Sequence, residues 1–118
     1  MLELIDGFQW KYICEVVRVI DGDTVELDVD LGFSIRYRLT VRLYGIDAPE
    51  QREKPQGPAA TAFLRKLIEG KQIVLESIKD KQGKYGRYLG KLWLQDAGGD
   101  VDDVNQMLVD MGYAELVP

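Results

Sequence analysis

Two stretches in the first half of the chain alternate strictly between apolar and polar residues. In TVELDVDL, residues 24–31, an apolar side chain falls on every second position and acids fall between. In SIRYRLTVRL, residues 34–43, apolar positions alternate with three arginines and a threonine. A period of two predicts strands that bury one face. Gly32 lies between the two stretches, so we expect a turn there that joins them as an antiparallel pair.

One more strand is predicted before this pair and two after it. KYICEVVRVI, residues 11–20, is rich in β-branched and aromatic residues and ends at the tight-turn signal DGD. KQIVLESI, residues 71–78, and RYLGKLWL, residues 87–94, have a similar composition. The sequence therefore predicts five strands, the first three joined as a meander.

Two segments instead carry apolar residues at i, i+3, i+4 and i+7, which predicts two amphipathic helices. The first lies between strands three and four, with Pro58 predicted at its first position and Gly70 just past its end. The second follows strand five, with Asp100 or Asp102 as its predicted N-terminal cap and Gly112 as its stop. This order of elements predicts a mainly β fold with helices, an OB-type five-stranded barrel.

The chain's length and apolar content fit a single domain over residues 1–118. At 46% the apolar share is ordinary for a globular protein, and no apolar run is long enough to span a bilayer. The first ten residues, MLELIDGFQW, lack the basic and apolar regions of a signal peptide. We expect a monomer without membrane contact, either cytoplasmic or the mature part of a secreted precursor.

The composition excludes several kinds of catalytic site. The chain has no histidine and one cysteine, Cys14, which we expect to be a small buried residue. Histidine-based nucleophilic catalysis and the usual zinc sites are therefore excluded. Any acid or base must be Asp, Glu, Lys or Tyr, and any metal must be bound through oxygen, which favours calcium, magnesium or manganese.

Charge is distributed unevenly along the chain. The net charge is -5, which argues against a protein that simply coats nucleic acid. The segment from residue 92 onward contains six acids and no base, whereas residues 79–91 carry five basic residues and one acid. Arg36, Arg38 and Arg42 are predicted on one face of the third strand. Local fields of this kind steer ligands more effectively than net charge.

Acidic residues flank the ends of the predicted strands in DGDTVEL and IDAPE. Asp23 has the parity of the apolar residues of strand two, and a lone charge facing a core is costly unless a cation or an arginine compensates. Asp47 and Glu50 follow strand three, and antiparallel pairing brings the start of strand two beside that end. Either a divalent cation lies between Asp23 and Asp47, or both are solvated turn residues.

Two arginines lie near these acids in the predicted fold. Arg42 precedes Asp47 by five residues, and Arg87 opens strand five. A guanidinium can bind phosphate through two parallel hydrogen bonds, which lysine cannot do. An arginine on a strand is usually part of a solvated face, so these two point to phosphate only if a metal site lies beside them.

Together these motifs carry a family resemblance. DGDTVEL (21–27), VRLYGIDAPE (41–50), KYGRYLG (84–90) and a helix ending in GYAEL (112–116) resemble, in order and spacing, the staphylococcal nuclease or thermonuclease family. The resemblance covers roughly residues 15–116. It implies an OB barrel with flanking helices and calcium-dependent hydrolysis of phosphodiester bonds in DNA or RNA, with single strands preferred and little sequence specificity.

The resemblance also implies a metal site. Asp23 and Asp47 would be carboxylate ligands of Ca²⁺, and the backbone carbonyl of Ala48 would be a further ligand. Asp21 would hydrogen-bond water bound to the ion. Threonine is common at the position of Ala48, but a backbone ligand does not need that hydroxyl.

The remaining implied residues act on the substrate. Arg42 and Arg87 would hold the scissile phosphate and neutralise its developing charge, as fixed positive charge should. Glu50 would activate or position the attacking water in place of the absent histidine. Lys84 and Tyr85 would contact the terminal phosphate of the nucleotide.

A different function class is compatible with the same fold. An OB domain can bind nucleic acid or a protein partner without cleaving it. Nuclease-like domains of this kind in Tudor-nuclease proteins have generally lost the carboxylates. Because Asp23, Asp47 and Glu50 are all present together with Arg42 and Arg87, the sequence favours the enzyme over the binding module.

Overall fold

A computed structural model of the protein describes residues 10–82 and 87–117, with the side chains of residues 79–82 excluded. Strands dominate this part of the chain, and two helices accompany them. In chain order, the elements are β1 (Lys11–Asp21), β2 (Thr24–Gly32), β3 (Ile35–Leu43), β4 (Ile46–Asp47), α1 (Gln56–Ile68), β5 (Gln72–Gln82), β6 (Tyr88–Gln95), β7 (Val101–Asp103), α2 (Val104–Asp110) and β8 (Glu115–Leu116).

Five of the strands close into a barrel. The sheet has the order β3-β2-β1-β5-β6-β7, and an additional parallel pairing joins β3 to β6. That closing pair spans only three positions, from Val41 opposite Tyr88 to Leu43 opposite Gly90. The other barrel pairs are antiparallel. The predicted OB-type barrel, with one helix between its third and fourth strands and another near the C-terminus, is confirmed.

The core lies inside the barrel and beneath α1. The alternating residues Val25, Leu27 and Val29 of β2 are buried, as are residues on the inner face of the helix. Cys14 is also buried, and burial raises the pKa of its thiol to about 12. It is therefore the small interior residue that its strand-like context predicts.

The β2–β3 hairpin extends beyond this core. The alternation predicted its two faces correctly. However, Leu31, Ile35 and Tyr37 are 46–55% exposed, because the hairpin extends past the end of the barrel. At its tip, Phe33 and Ser34 both have positive φ, and Phe33 is 97% exposed. Positive φ at both central residues is the geometry that matches the right-handed twist of a two-residue hairpin turn.

Helix α1 begins before the predicted residue. It starts at Gln56, not at Pro58, with Pro55 in the N-cap position. Proline is tolerated at Pro58 because the N–H groups of a first helical turn have no intrahelical acceptor. Gly70, with φ +78°, follows the end of the helix as predicted.

Helix α2 also begins at a different cap from either predicted one. The cap is Asp103, whose Oδ1 accepts a hydrogen bond from Gln106 N at 3.1 Å, so the prediction of Asp100 or Asp102 is wrong. The reason is that residues 101–103 first pair with β6 as the short strand β7. Gly112, with φ +82°, lies beyond the last helical residue, as predicted.

A second, two-stranded sheet ties the C-terminal segment to the end of β3. Ile46 pairs with Leu116, and Asp47 pairs with Glu115. The Val117 N–H also donates to the Gly45 carbonyl at 2.8 Å. Two-residue strands are too short to show a periodicity, so no sequence pattern predicts them. The pairing fixes the backbone that carries Asp47.

Within residues 10–82 and 87–117, no helix has the length and apolar character needed to cross a bilayer.

Candidate functional site

Asp23 is held in a tight turn against the first helix. Asp21 pairs with Thr24, which leaves Gly22 and Asp23 between β1 and β2. A Cβ on Gly22 would lie 2.7 Å from Ala60 Cβ, so only glycine lets the turn approach α1 this closely. The Asp23 carbonyl accepts from Leu43 N at 2.8 Å. The turn therefore places the Asp23 side chain at the end of β3.

Asp23 is a buried residue, 6% exposed, and its carboxylate has several hydrogen-bond and ion-pair partners. Arg42 Nη1 lies 2.9 Å from Oδ2, the Ala48 N–H donates to the same oxygen at 2.8 Å, and Thr24 Oγ1 donates to Oδ1 at 3.0 Å. Burial raises the pKa of the Asp23 carboxyl, whereas the Ala48 N–H and Arg42 oppose that rise. The charge that the sequence places toward the core is thus compensated by an arginine.

Arg42 brings the two predicted metal-binding acids together. Its Nη2 atom lies 3.2 Å from Asp47 Oδ1, and its Nη1 atom donates to the Ile46 carbonyl at 3.1 Å. Asp47 is close enough to raise the pKa of Asp23 by charge repulsion. The carboxylates of Asp23 and Asp47 therefore converge from separate segments on one guanidinium.

The loop after β4 positions Glu50 at the edge of the same site. Its carboxylate Oε2 lies 2.6 Å from Arg52 Nε, and its side chain is 56% exposed. The Gln51 N–H donates to Asp21 Oδ1 at 3.0 Å, so Asp21 anchors this loop to the end of β1. The N-terminal turn of α1 packs directly on the loop, because a Cβ on Gly57 would overlap the Glu50 carbonyl.

An open groove of about 560 Å³ runs beside these residues. Its lining comes from the β4 loop, from α1 and from the segment after α2. Tyr113 in this lining stacks on Phe63, with ring centroids 4.5 Å apart and planes 20° from parallel. The acidic residues in the lining are Asp47, Glu50, Glu53 and Glu115. Glu53 and Glu115 were not singled out from the sequence, because only the β4–β8 pairing and the loop fold bring them here.

The donor chemistry at Asp23 and Asp47 fits a hard cation. The carboxylates of Asp23 and Asp47 both contact the Arg42 guanidinium, and Asp23 is buried. Ala48 directly follows Asp47 in the chain, and its N–H donates to Asp23. Among the described residues, no group of three or more His, Cys, Asp or Glu side chains is arranged to hold a metal. A calcium site here would therefore combine two carboxylates with a backbone carbonyl and water, all oxygen ligands that calcium accepts.

The other arginines of the third strand do not form an open basic face. Arg36 Nε lies 2.9 Å from Asp28 Oδ2, and Arg38 Nε lies 3.7 Å from Glu26 Oε2. Glu26 also contacts Arg18 Nε at 2.7 Å. These cross-strand ion pairs neutralise the outer face of the hairpin, which the sequence had suggested as a steering surface.

Arg87 is half-buried and stands directly before β6. It lies two residues before Leu89, the β6 residue whose partner in β3 is Arg42. The register therefore places Arg42 in β3 and Arg87 directly before β6, the strand that pairs with β3. Lys84 and Tyr85, predicted to contact a terminal phosphate, lie outside the described residues.

Comparison with known proteins adds a family match. A family described as "Staphylococcal nuclease homologue" matches residues 40–118 of the chain. An uncharacterized endonuclease of Escherichia coli is 33% identical over 112 residues, which cover 91% of this chain and 65% of that protein. Thermonuclease of Staphylococcus intermedius is 41% identical over 86 residues, covering 69% of this chain and 48% of the enzyme.

A third relative is Protein ParB of Escherichia coli, 36% identical over 104 residues that cover 85% of this chain and 54% of that protein. The chain thus spans between about half and just under two thirds of the length of these relatives.

Proposed function

The chain belongs to the staphylococcal nuclease family, and from this premise we propose that it is a calcium-dependent nuclease. It would hydrolyse phosphodiester bonds in DNA or RNA with little sequence specificity. The observation that carries the proposal is the convergence of Asp23 and Asp47 on Arg42, at 2.9 and 3.2 Å. This cluster combines an oxygen-rich cation site with a phosphate-binding group at one edge of the barrel.

Asp23, Asp47 and the Ala48 carbonyl would hold the calcium ion, and Asp21 would hydrogen-bond its water. When bound, the ion would supply positive charge that lowers the repulsion between an anionic diester and the incoming water. Asp21 already anchors the loop that carries Glu50, so it can help to order the site without direct contact to the ion.

Arg42 and Arg87 would bind the non-bridging oxygens of the scissile phosphate. A guanidinium has five N–H donors, more than the three contacts that Arg42 makes with Ile46, Asp23 and Asp47. Fixed positive charge stabilises the additional negative charge that develops as water adds to phosphorus. Lys84 and Tyr85 would hold a terminal phosphate.

Glu50 would act as the base. It would accept a proton from the water whose oxygen bonds to phosphorus, while the bond from phosphorus to the leaving oxygen breaks. Its 56% exposed side chain, at the edge of the open groove, can reach a solvent molecule. Its contact with Arg52 fixes the position of the carboxylate at the edge of the groove.

A cleavage assay with matched variants tests the proposal. Single-stranded DNA is incubated with wild-type protein in calcium or in chelator, beside Asp47→Asn and the control Asp30→Asn. Asp47 is exposed and Asp30 lies on the distant hairpin, so neither change should unfold the protein. We expect calcium-dependent cleavage in the wild type and the control, and its loss in Asp47→Asn together with weaker calcium binding by calorimetry.

The binding-module alternative gives a different result. Binding of DNA without cleavage by the wild type, in calcium and in chelator alike, would rule out the nuclease and favour that alternative. Equal cleavage by all three proteins would instead remove Asp47 from the metal site.

A further inference from the structure

Asn105, in the first turn of α2, is a buried polar residue that is 3% exposed. Its Nδ2 donates to the Tyr44 carbonyl at 2.9 Å and to the Gly90 carbonyl at 3.2 Å, and its Oδ1 accepts from the Leu92 N–H at 3.2 Å. The amide thus makes three of the four hydrogen bonds open to it. An ionised aspartate has no donor and a serine has one, so neither could serve two carbonyls in its place.

These contacts lie at the point where β3 and β6 close the barrel. The closing parallel pair covers only three positions, and the last of them is Leu43 opposite Gly90. Tyr44 directly follows the end of β3, and its N–H also donates to the Gly90 carbonyl at 2.8 Å. Asn105 therefore joins both strands at the end of their short pairing.

A pair of this length does not fix its own register. Parallel pairing is slightly less stable per residue than antiparallel pairing, and a slip of two residues leaves every side chain on its original face. The burial of Val41 and Leu43 is therefore compatible with more than one register. A slip of two residues would move one strand about 6.6 Å along the other and would break the bonds of Asn105. Because buried polar groups are costly when unpaired, the amide favours the observed register.

The candidate site depends on this register because its residues lie on both sides of the junction. Arg42 is within the closing pair, and Arg87 stands directly before β6. Asp47 follows three residues after Tyr44, whose carbonyl is held by Asn105. A displacement of either strand would change the spacing of the two arginines.

We propose that Asn105 is a positioning residue for phosphodiester cleavage: its amide fixes β3 against β6 and thereby sets the spacing of Arg42 and Arg87. The inference rests on the proposed nuclease function and adds a residue to that same site. Two guanidinium groups stabilise the charge that develops on one phosphate only when both reach its oxygens. A misplacement of about 1 Å can reduce a rate about 100-fold, so loss of the amide should lower kcat more than substrate affinity.

Two variants remove the contacts of the amide in different ways. Asn105→Ala deletes the whole group, whereas Asn105→Asp keeps its shape and the acceptor for the Leu92 N–H but loses both donors. Leu108→Ala is the matched control, because Leu108 is fully buried in the same helix and its truncation should destabilise the fold while the amide stays in place. Circular dichroism melting verifies that each variant folds, and every assay is run well below the lowest melting temperature.

The first readout separates the rate of cleavage from binding. Cleavage of single-stranded DNA is measured in calcium, and binding of the same strand is measured in chelator. We expect kcat to fall roughly 10- to 100-fold in both Asn105 variants, with a much smaller change in Kd. Leu108→Ala should keep the wild-type kcat although it melts at a lower temperature.

The second readout does not require cleavage. In proton–nitrogen correlation NMR spectra, the backbone amide signals of Arg42 and Asp47 should shift in both Asn105 variants and stay in place in Leu108→Ala. Exchange of the Leu92 N–H with deuterium should accelerate in Asn105→Ala, which lacks its acceptor, and remain slow in Asn105→Asp.

Three results would overturn the positioning role: a wild-type kcat in both Asn105 variants, a loss of kcat in Leu108→Ala as large as theirs, or a loss of affinity equal to the loss of kcat. The second would make Asn105 a stabilising residue only. Cleavage by the wild type separates the two proposals. If the wild type does not cleave, the nuclease is overturned, and the NMR comparison still decides whether Asn105 fixes the two strands.

Discussion

Arg42 Nη1 lies 2.9 Å from Asp23 Oδ2, and this ion pair is largely shielded from water. The side chain of Asp23 is 9% exposed and that of Arg42 is 24% exposed. Asp23 comes from the first turn and Arg42 from the end of β3, so the pair fastens two barrel strands together. It belongs at once to the fold and to the proposed site.

Removal of Asp23 should therefore destabilise the protein as well as prevent calcium binding. Asp23→Ala leaves the half-buried Arg42 with less compensation and removes the acceptor of the Ala48 N–H. We expect a loss of about 3 kcal/mol in the free energy of unfolding, measured by urea denaturation at pH 7. Asp47→Ala is the comparison, with an expected loss below about 1 kcal/mol because Asp47 is 64% exposed. Equal losses would contradict the central role of Asp23.

Cys14 should be unreactive in the folded protein. Because burial raises the pKa of its thiol from 9.0 to about 12, little thiolate is present at pH 8.5. We expect iodoacetamide to label Cys14 in urea but not in buffer, as followed by mass spectrometry. Rapid labelling of the native protein would contradict the burial of this strand.

The same pKa has a consequence for alkaline stability. An acid whose pKa is higher in the folded state loses its proton more readily on unfolding, so this group destabilises the fold as the pH rises from 9 toward 12. Wild type should lose stability relative to Cys14→Ala by up to about 1.4 kcal/mol per pH unit in that window. A constant difference between the two proteins from pH 8 to 11 would contradict the shift.

Gly57→Ala should lower stability and disturb Glu50. In an ordinary helix this substitution is favourable by about 1 kcal/mol. Here the added Cβ would overlap the Glu50 carbonyl, so the loop or the helix must move. We expect a lower melting temperature and a cleavage rate reduced more than substrate affinity, because Glu50 is the proposed base.

Gly98→Ala is the matched control for that experiment. Its added Cβ would meet only the Asp96 side chain at 3.4 Å, in a turn remote from the β4 loop. It should leave the cleavage rate unchanged. A Gly57→Ala variant as active and as stable as wild type would show that the loop tolerates displacement.

Phe33→Asn should stabilise the hairpin. Phe33 has φ +57° and is 97% exposed, so it carries the steric cost of the left-handed region without burying its ring. Asparagine adopts this conformation more readily. We expect a gain of about 1 kcal/mol in the free energy of unfolding, with Phe33→Val as the contrasting variant that should lose stability. A lower melting temperature for Phe33→Asn would imply that the exposed ring makes a stabilising contact.

The barrel was predictable because alternation is a local signal that the fold obeys. Val25, Leu27 and Val29 face the core as their period requires, and Gly70 and Gly112 end the helices. The convergence of Asp23 and Asp47 followed from antiparallel pairing alone. These features depend on neighbouring residues or on adjacent strands, so one sequence suffices to infer them.

The rest depended on contacts between residues distant in sequence. The ion pairs of Arg36 and Arg38 with acids of β2 follow from the register of the hairpin, which the sequence alone does not reveal. These pairs neutralise the charge on that face of β3. Glu115 reaches Asp47 only through the two-residue β8. The N-terminal cap of α2 is Asp103 and not one of the predicted residues, because β7 directly precedes the helix. Amino-acid composition gives no information about such pairings.

The β4–β8 pairing also sets when the site can form during synthesis. Asp47 receives its strand partner from Glu115, so a ribosome must add about seventy more residues after the acid before its backbone is secured. At about 5–20 residues per second, the delay is several seconds or more. A nascent chain that has completed its first hairpin would still lack the assembled candidate site, and translation itself would delay formation of this site until β8 has emerged.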